Sequence, residues 1–562
     1  MTCSKRLWPH VVALGAILCV LVLAFGRNSL VRDGLVSADE GAVLSQMEVR
    51  RTTGDWGMPN PLPAVDPDAR WFGISGSDLD ADRAYPYAKH VAYPAVAQPF
   101  FDLGGARLVV GLSALGSLVT AALAALLARR VRRDLDVPTL WVVGIVSPIF
   151  FDSFWAIAHS MGAAFATGAV LAAVVAIERR QARWIPLAAL AVAAAALLRS
   201  EGMLFGVALG GGLLALAGMR RDRLAAAAGV AAGAAASVAW WIDGRLHTAV
   251  VGATHPPFRI STTADQTWLS ARWDGAWASL LRPQLQATTT AGTIFLGVAL
   301  AGALAALYVR AKPTEVRLIR GLAGIAGVAA IAALAFRVAP VPGLLVAFPI
   351  LPIGLIVATR STFESVTARI VGVTALLFSG AVVATQYAVG GSMEWGGRFF
   401  HLAIPALVPV VLMSLDGARS RLDPTTRRVT GAAIVAVSAV LVVFAVGSVA
   451  RLQSQSGDLA RAVHDLADGR VVVTNFESLG RFTWKDAVHG RFLSVPESDD
   501  LGTVAAAPRR RGHRRVRLRS AVPAGDRPGP TRGLRAGGRP HPHGGRVGVV
   551  GDAAEHRIAS TG

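Results

Sequence analysis

Long apolar stretches recur along this chain, and short polar segments rich in arginine separate them. Each stretch holds roughly 15–24 residues, and a helix of about 20 residues spans the hydrocarbon layer of a membrane. Helices are the expected conformation because unpaired backbone groups are costly in lipid. The pattern predicts thirteen membrane-spanning helices, at residues 10–26, 105–128, 137–152, 155–177, 184–198, 202–218, 224–243, 293–309, 321–336, 341–358, 370–389, 399–415 and 429–449.

The charges of the short connections predict how these helices are oriented. If the N-terminus with Lys5 and Arg6 is cytoplasmic, the even-numbered connections are cytoplasmic too. The N-terminus and these connections together carry 22 Lys or Arg residues. The short connections on the opposite side carry at most one arginine each. Cytoplasmic loops of membrane proteins are enriched in Lys and Arg. We therefore predict a multi-pass protein of the plasma membrane with a cytoplasmic N-terminus and an extracytoplasmic C-terminus.

The first apolar stretch, residues 10–26, follows a basic start, which is also typical of a signal peptide. No clear small-x-small cleavage site follows it, and Leu18 stands where a lipoprotein signal has a small residue before the cysteine, here Cys19. We interpret this stretch as a retained membrane anchor.

The composition agrees with a membrane protein and argues against two other classes. Of the 562 residues, 53% are hydrophobic and 16% are charged, with a mean hydropathy of +0.49. Soluble domains have about 25% charged residues, so a soluble enzyme is disfavoured. A net charge of +20 would suit nucleic-acid binding, but the arginines lie between apolar runs and form no basic stripe. We therefore predict no nucleic-acid partner.

Two long connections are predicted to face outwards. Residues 27–106 form the first extracytoplasmic loop, which is net acidic, and residues 244–292 form the second. Trp268, Trp273 and Trp277 in the second loop fit either an interfacial helix or an ordinary aromatic belt at the membrane surface.

The sequence predicts a domain boundary just after the last membrane span. Residues 1–450 form the transmembrane domain, and residues 451–507 begin a small outward domain in which Gly469–Phe476 has the pattern of a strand. The predicted fold class is an all-α polytopic membrane protein of about thirteen transmembrane helices with a short extracytoplasmic C-terminal α/β remnant.

Residues 508–562 differ abruptly in composition from the rest of the chain. They contain thirteen Arg, eleven Gly and six Pro, with no Lys and no aromatic residue. Such a segment cannot form a core, so it is either a disordered basic arm or an out-of-frame reading of GC-rich DNA. We favour the second interpretation, which predicts that a one-base change near codons 503–510 restores an apolar-patterned sequence. Resequencing that finds only another Arg/Gly-rich frame would refute it.

Asp39 and Glu40 stand in the first outward loop, soon after the first predicted helix. A carboxylate placed beside an acceptor hydroxyl can act as a general base, which contributes about 10²–10⁴-fold in rate. Neighbouring residues of a helix diverge by about 100°, so the second carboxylate would instead bind a metal or orient a hydroxyl. The same two residues also fit the first turn of a short helix capped by Ser37. Both interpretations stay open at this point.

Three arginines fall at predicted outward helix ends, namely Arg199, Arg337 and Arg398. Guanidinium groups bind phosphate bidentately and stabilise the charge of a leaving phosphate, although each of these could also simply reach the membrane surface. Trp395 and the two glycines after it would allow a close backbone approach beside Arg398. Asp152, in the tight turn after the third predicted helix, is a further acidic candidate or a turn residue.

Three short patches resemble a known family. Asp39–Glu40, followed about fifteen residues later by Gly54–Trp56, resembles the first extracytoplasmic loop of the GT-C glycosyltransferases, in the family 39-like branch of protein O-mannosyltransferases and lipid A aminoarabinose transferases. Tyr85–His90 resembles the "HPPL-K" segment of that branch but lacks its His-Pro-Pro. Glu394–Leu407 (EWGGRFFHLAIPAL) is similar to the late "W-G-R-Y…P" pattern. In layout the resemblance covers residues 10–450.

The resemblance implies a transferase that takes a sugar from a polyprenyl-phosphate donor on the outer face of the membrane, with inversion at the anomeric carbon. The acceptor would be a glycan, a glycolipid or a protein of the cell envelope. Asp39 would be the general base, Glu40 its helper or a metal ligand, and Arg107 a partner of the acidic pair or of the lipid phosphate. Lys89 is a further candidate. No cofactor is certain, and a divalent cation is possible.

Two other functions stay open. A transporter or flippase of lipid-linked saccharides would favour ionisable groups at the middle of the membrane, whereas the predicted spans are almost uncharged inside. A catalytically silent envelope protein of the same fold is the other alternative. The Ala/Arg-rich composition suggests a high-GC bacterium such as an actinobacterium.

Overall fold

The structure, a computed structural model, describes most of the predicted membrane domain and parts of the outward segments. The described residues are 2–27, 34–59, 74, 79–80, 83–84, 90–251, 267–280, 343–385, 395–467, 472–474, 479–489, 492–495 and 548–550.

The described residues are mainly helical. The helices up to the second long loop are α1 (Thr2–Arg27), α2 (Ala38–Thr53), α3 (Ala92–Gly104), α4 (Ala106–Val131), α5 (Asp136–Trp141), α6 (Ile149–Asp152), α7 (His159–Glu178), α8 (Trp184–Leu198), α9 (Ser200–Arg220) and α10 (Arg223–Val251). They are followed by α11 (Trp268–Leu280), α12 (Leu344–Ala347), α13 (Ile350–Ile356), α14 (Val366–Thr385), α15 (Ile404–Arg419), α16 (Pro424–Ala467), α17 (Leu479–Phe482) and α18 (Trp484–Val488).

Six helices within the described part of the chain are long and apolar enough to cross a membrane: α4, α7, α9, α10, α14 and α16. Two shorter apolar helices cover Pro9–Leu21 and Trp184–Leu198. The protein is therefore a membrane protein. The predicted total of thirteen spans is not confirmed, because the stretches at 293–309 and 321–336 lie outside the described residues.

Two predicted spans are interrupted where a proline follows in the sequence. In the span predicted at 137–152, a π-helical turn at Val142–Val146 leads to Ser147, whose backbone is extended before Pro148. In the span predicted at 341–358, Phe348 leaves the helical region before Pro349, which separates α12 from α13. The ring of a proline disfavours helical backbone at the residue before it, which explains both breaks.

Chain contacts divide the protein into two compact units. The first comprises Met1–Val31, Pro99–Leu246 and Pro256–Leu452. In this unit α7 packs against α4 and α8, and α9 packs against α8 and α14. Small residues permit close approach between helices, as in membrane proteins generally. At Gly210 of α9, for example, an added Cβ would lie 2.9 Å from the carbonyl oxygen of Gly229 in α10.

The second unit comprises Arg32–Gln98, His247–His255 and Gln453–Gly562. Its helix α2 packs against α17 and α18. Gly41 is required at this contact, because a Cβ there would collide with the carbonyl group of Arg481. Buried apolar side chains such as Val49, Val463 and Phe492 form its core.

The described residues of the second unit form two small sheets. In the antiparallel sheet, β3 (Arg83–Ala84) lies between β1 (Met58–Pro59) and β2 (Leu79–Asp80). In the parallel sheet, β4 lies between β5 and β6. These three strands are β4 (Val472–Thr474), β5 (Phe492–Ser494) and β6 (Gly548–Val550).

Two predictions for the C-terminal part can be placed on this sheet. Strand β4 lies inside the stretch predicted as a strand at Gly469–Phe476. Strand β6 belongs to the basic tail, whose other residues lie outside the described part of the chain, so both interpretations of the tail stay predictions.

The second outward loop contributes helix α11, which carries the three tryptophans singled out in the sequence. Trp268 is 50% exposed and Trp273 is 69% exposed. Exposed tryptophans fit both an interfacial helix and an aromatic belt, so both interpretations stay open.

Candidate functional site

Buried ionisable side chains gather in the first unit at helix ends that are predicted to face outwards. Ionisable groups in such surroundings are rare because removing a charge from water is costly unless a partner compensates it. The group consists of Asp152 at the end of α6, His159 at the start of α7, Arg199 and Glu201 at the start of α9, and His401 just before α15.

Asp152 and His401 form the most buried ion pair of this group. The Nδ1 atom of His401 lies 2.8 Å from Oδ2 of Asp152, and each side chain is 1% exposed. The Nε2 atom faces the carbonyl oxygens of Trp395 at 3.1 Å and Gly396 at 3.3 Å. A carbonyl oxygen only accepts, so Nε2 carries a proton. The pair is then either imidazolium with carboxylate or imidazole with carboxylic acid, and it is neutral overall in both forms.

Asp152 has one more feature that sets it apart from an ordinary turn residue. Its second oxygen, Oδ1, is buried and makes no hydrogen bond to any of the described residues. An unsatisfied buried carboxylate oxygen is costly and calls for a specific explanation. Asp152 is therefore the best candidate in this unit for an acidic group whose second oxygen binds a substrate.

Trp395 connects this pair to the loop that carries Arg398. Its side chain is 3% exposed and stacks against Phe151 with ring centroids 4.8 Å apart. Its carbonyl oxygen accepts the hydrogen bond from His401 described above. The loop is thus held by an aromatic contact on one side and by a buried histidine on the other.

Two glycines in this loop adopt backbone conformations that other residues avoid. Gly396 has φ of 71° and Gly397 has φ of 65°. A Cβ at Gly397 would collide with the carbonyl oxygen of Ser279, and one at Gly396 would lie 2.5 Å from Cγ of Pro148. The loop therefore fits only with glycine at both positions. Its close packing fixes the backbone of the next residue, Arg398.

Arg199 and Glu201 form a second buried pair. Nε and Nη2 of Arg199 each lie 3.0 Å from Oε2 of Glu201. The stem of Arg199 passes beside Gly162, where an added Cβ would lie 3.1 Å from Cδ of Arg199 and 3.2 Å from a methyl carbon of Leu402. Arg199 thus lies against the segment that holds His401.

The structure brings together four residues that the sequence singled out separately: Asp152, Arg199, Trp395 and Arg398. Three other candidates are not part of this group as described. Arg107 is exposed at the start of α4. Lys89 and Arg337 lie outside the described residues.

Sequence reasoning missed the two histidines of the group. The rings of His159 and His401 have their centroids 6.1 Å apart. A signal for His401 was available, because it follows Arg398 by three residues and interrupts an apolar run at a predicted outward helix end. His159 likewise interrupts an apolar stretch, the one at 155–177, but it has no arginine close before it in the sequence.

The acidic pair of the first loop lies in the second unit, in the first turn of α2. Glu40 is 2% exposed, and its Oε2 accepts hydrogen bonds from the backbone N–H groups of Val36 at 2.6 Å and Ser37 at 3.0 Å. The bond from Ser37 is the glutamate half of a capping box. Asp39 is the more accessible of the two, with its side chain 23% exposed and Oδ1 3.5 Å from Nη1 of Arg481.

Metal binding was predicted only as a possible role of Glu40. Within the described residues, no three His, Cys, Asp or Glu side chains come together in a way that could hold a metal ion. The hydrogen bonds of Glu40 give its carboxylate a structural task at the helix start, and a metal role for it stays a prediction.

Comparison with known proteins finds similarity only among solved structures, since no protein-family model and no curated protein matches the chain. The chain is similar to the oligosaccharyltransferase AglB of Archaeoglobus fulgidus in complex with an inhibitory peptide and a dolichol-phosphate, with 12% identity and a TM-score of 0.46 over 88% of this chain and 65% of that one. The apo form of the Archaeoglobus fulgidus oligosaccharyltransferase has 13% identity and a TM-score of 0.40 over 88% of this chain and 65% of that one. ArnT from Cupriavidus metallidurans in the apo state has 14% identity and a TM-score of 0.39 over 90% of this chain and 89% of that one.

The chain thus spans 65% of the length of the two oligosaccharyltransferase structures and 89% of ArnT. Identities of 12–14% with TM-scores below 0.5 carry no functional conclusion.

Proposed function

We propose that the protein is a membrane glycosyltransferase that takes a sugar from a polyprenyl-phosphate donor at the extracytoplasmic face and passes it to a glycan, glycolipid or protein of the cell envelope. One observation carries this proposal: the buried ionisable group formed by Asp152, His159, Arg199, Glu201 and His401 at one end of the apolar helices of the first unit. Ionisable side chains inside a membrane protein mark functional sites by default, because their burial is costly.

Arg398 is the first choice for binding the phosphate of the donor. It stands on a loop whose backbone is fixed by Gly396 and Gly397, and its guanidinium lies 5.0 Å from the ring centroid of Phe399. A preorganised guanidinium stabilises the charge that develops on a leaving phosphate without reorganisation at the moment of reaction. Arg199 is the second candidate; Glu201 accepts a hydrogen bond from its Nε and lies 3.0 Å from its Nη2. A role in binding the donor phosphate stays a prediction for Arg107, Arg337 and Lys89.

Asp39 is proposed as the general base. An ionised carboxylate is the form that accepts a proton, and the neighbouring Arg481 attracts this form. In the proposed reaction Asp39 takes the proton of an acceptor hydroxyl, and the hydroxyl oxygen then attacks the anomeric carbon of the sugar. The bond from that carbon to the phosphate oxygen breaks, and the polyprenyl phosphate leaves with the electron pair. A direct displacement of this kind inverts the anomeric centre.

Arg398→Gln is expected to lower transfer from a labelled polyprenyl-phosphate sugar by about 10²-fold or more, the cost of removing one preorganised donor to a developing charge. Arg398→Lys should lie between this variant and the wild type, because it keeps the charge and loses the bidentate geometry. The measurement is the rate of sugar transfer in isolated membranes. Arg421→Gln is the matched control, since Arg421 is exposed just beyond the other end of α15.

The outcomes of this assay separate the proposal from its main alternative. A normal rate for Arg398→Gln would remove Arg398 from the donor site. If the wild-type protein transfers no sugar from any donor tested, the enzyme proposal fails and a transporter of lipid-linked saccharides becomes the better interpretation.

A further inference from the structure

A long groove of about 1660 Å³ runs over α7, with α4 on one side and α8 on the other. Each helix lines it with residues spaced three or four positions apart, which is one face of a helix. On α4 the lining extends from Leu112 to Arg130, and on α7 it extends from Met161 to Arg179. Eighteen residues of helix measure about 27 Å, close to the thickness of about 30 Å of a bilayer's hydrocarbon core.

Over most of its length the groove is apolar. Its floor on α7 contains short side chains such as Ala164 and Ala172, and its edges carry exposed large ones. Leu115 on α4 is 55% exposed, and Leu190 on α8 is 68% exposed. Pro9 and His10 of α1 and Asp136 and Val137 of α5 also belong to its lining.

One end of the groove is basic. Arg129, Arg130, Arg133 and Arg179 line it there, at helix ends that the connection charges predict to be cytoplasmic. Two of these arginines already have partners: Nε of Arg129 lies 2.7 Å from Oδ2 of Asp136, and Nη1 of Arg130 lies 3.7 Å from Oε2 of Glu178.

The other two, Arg133 and Arg179, are exposed and make no ion pair with any of the described residues. Asp136 is the one carboxylate among the lining residues. Burial would raise the pKa of Asp136, but hydrogen bonds from Arg129 and His10 outweigh burial and hold the pKa below its ordinary value. Asp136 is therefore ionised and paired with Arg129. The basic end of the groove keeps an excess of positive charge.

We propose that this groove binds an anionic glycerophospholipid of the membrane, with its phosphate at Arg133 and Arg179 and its acyl chains along α7. Charge complementarity selects this occupant, because an apolar helix of a partner protein would leave the two guanidinium groups without an anion. Anionic glycerophospholipids are the usual anions of the leaflet that faces basic loops, and basic pockets between membrane helices bind their head groups. The proposal does not depend on sugar transfer.

The test titrates phosphatidylglycerol into the purified full-length protein in detergent and measures binding by native mass spectrometry, with phosphatidylethanolamine as the zwitterionic comparison. Each arginine near the head group contributes about fivefold to affinity, so Arg133→Gln/Arg179→Gln is expected to bind phosphatidylglycerol about 30-fold more weakly. Phosphatidylethanolamine binding should change little. The control Arg220→Gln/Arg223→Gln removes the same charge from exposed positions at the end of α9 and the start of α10, outside the groove lining.

A second variant tests the apolar part of the same groove. A Cβ at Gly168 would meet only a methyl carbon of Leu123, at 3.6 Å, so Gly168→Leu fills the floor of the groove without disturbing the helix. We expect this variant to lose phosphatidylglycerol as well, with unchanged helix content by circular dichroism. Equal loss in the Arg220/Arg223 control would overturn the proposal, because the effect would then be general electrostatics. Co-purification of a polyprenyl phosphate in place of a glycerophospholipid would overturn the assigned occupant.

Discussion

Asp39→Asn is expected to lower the rate of sugar transfer by about 10²–10⁴-fold, the contribution of a positioned general base. Asparagine has the shape of aspartate but cannot take the proton of an acceptor hydroxyl. The start of α2 should survive the change, because Glu40, which accepts the backbone hydrogen bonds of Val36 and Ser37, is unchanged. The loss should therefore appear in kcat, with the KM for the donor nearly unchanged.

Glu48→Gln supplies the matched control for this prediction. Glu48 belongs to the same helix and also pairs with an arginine, at 2.7 Å from Arg51. It stands nine residues after Asp39, which is about 900° of helix rotation, so the two side chains point to opposite sides of α2. The control should transfer at close to the wild-type rate. Normal transfer by Asp39→Asn would show that another group is the base, and it would leave the role proposed for Arg398 untouched.

The long helices could be predicted from the sequence because their signal is local. The apolar run at 155–177 corresponds to α7 at His159–Glu178, and the run at 202–218 corresponds to α9 at Ser200–Arg220. A stretch of about 20 apolar residues has few alternatives to a helix in lipid. The apolar pattern missed the breaks at Ser147 and Phe348, because hydropathy does not register the backbone restriction before a proline.

The candidate site was only partly accessible to the same reasoning. Residue type and position at a helix end were enough to select Asp152, Arg199 and Arg398 individually. The pairing of Asp152 with His401 joins positions 249 residues apart, and no local pattern indicates it. The capping of α2 was accessible, because Ser37 followed three residues later by Glu40 is the sequence pattern of a capping box.

His401→Ala is expected to destabilise the protein by about 3–5 kcal/mol, because it leaves Asp152 buried in the protein interior without its partner. The measurement is thermal or denaturant unfolding of the purified protein in detergent. Asp152→Ala/His401→Ala should lose no more stability than His401→Ala alone, since removing both partners also removes the unpaired charge. His10→Ala is the matched control: His10 lies 2.7 Å from Asp136, but that pair is partly exposed and should contribute only about 1 kcal/mol.

The same pair should also control the position of Arg398, and a functional measurement separates this role from stability. His401 is bonded to the carbonyl oxygens of Trp395 and Gly396, so its loss frees the backbone just before Arg398. We expect His401→Gln, which can still donate one hydrogen bond, to recover part of the stability but to keep a raised KM for the polyprenyl-phosphate donor. If the double variant loses the sum of the two single losses, the residues are not coupled. If His401→Gln shows the wild-type KM, the pair stabilises the helices and does not position Arg398.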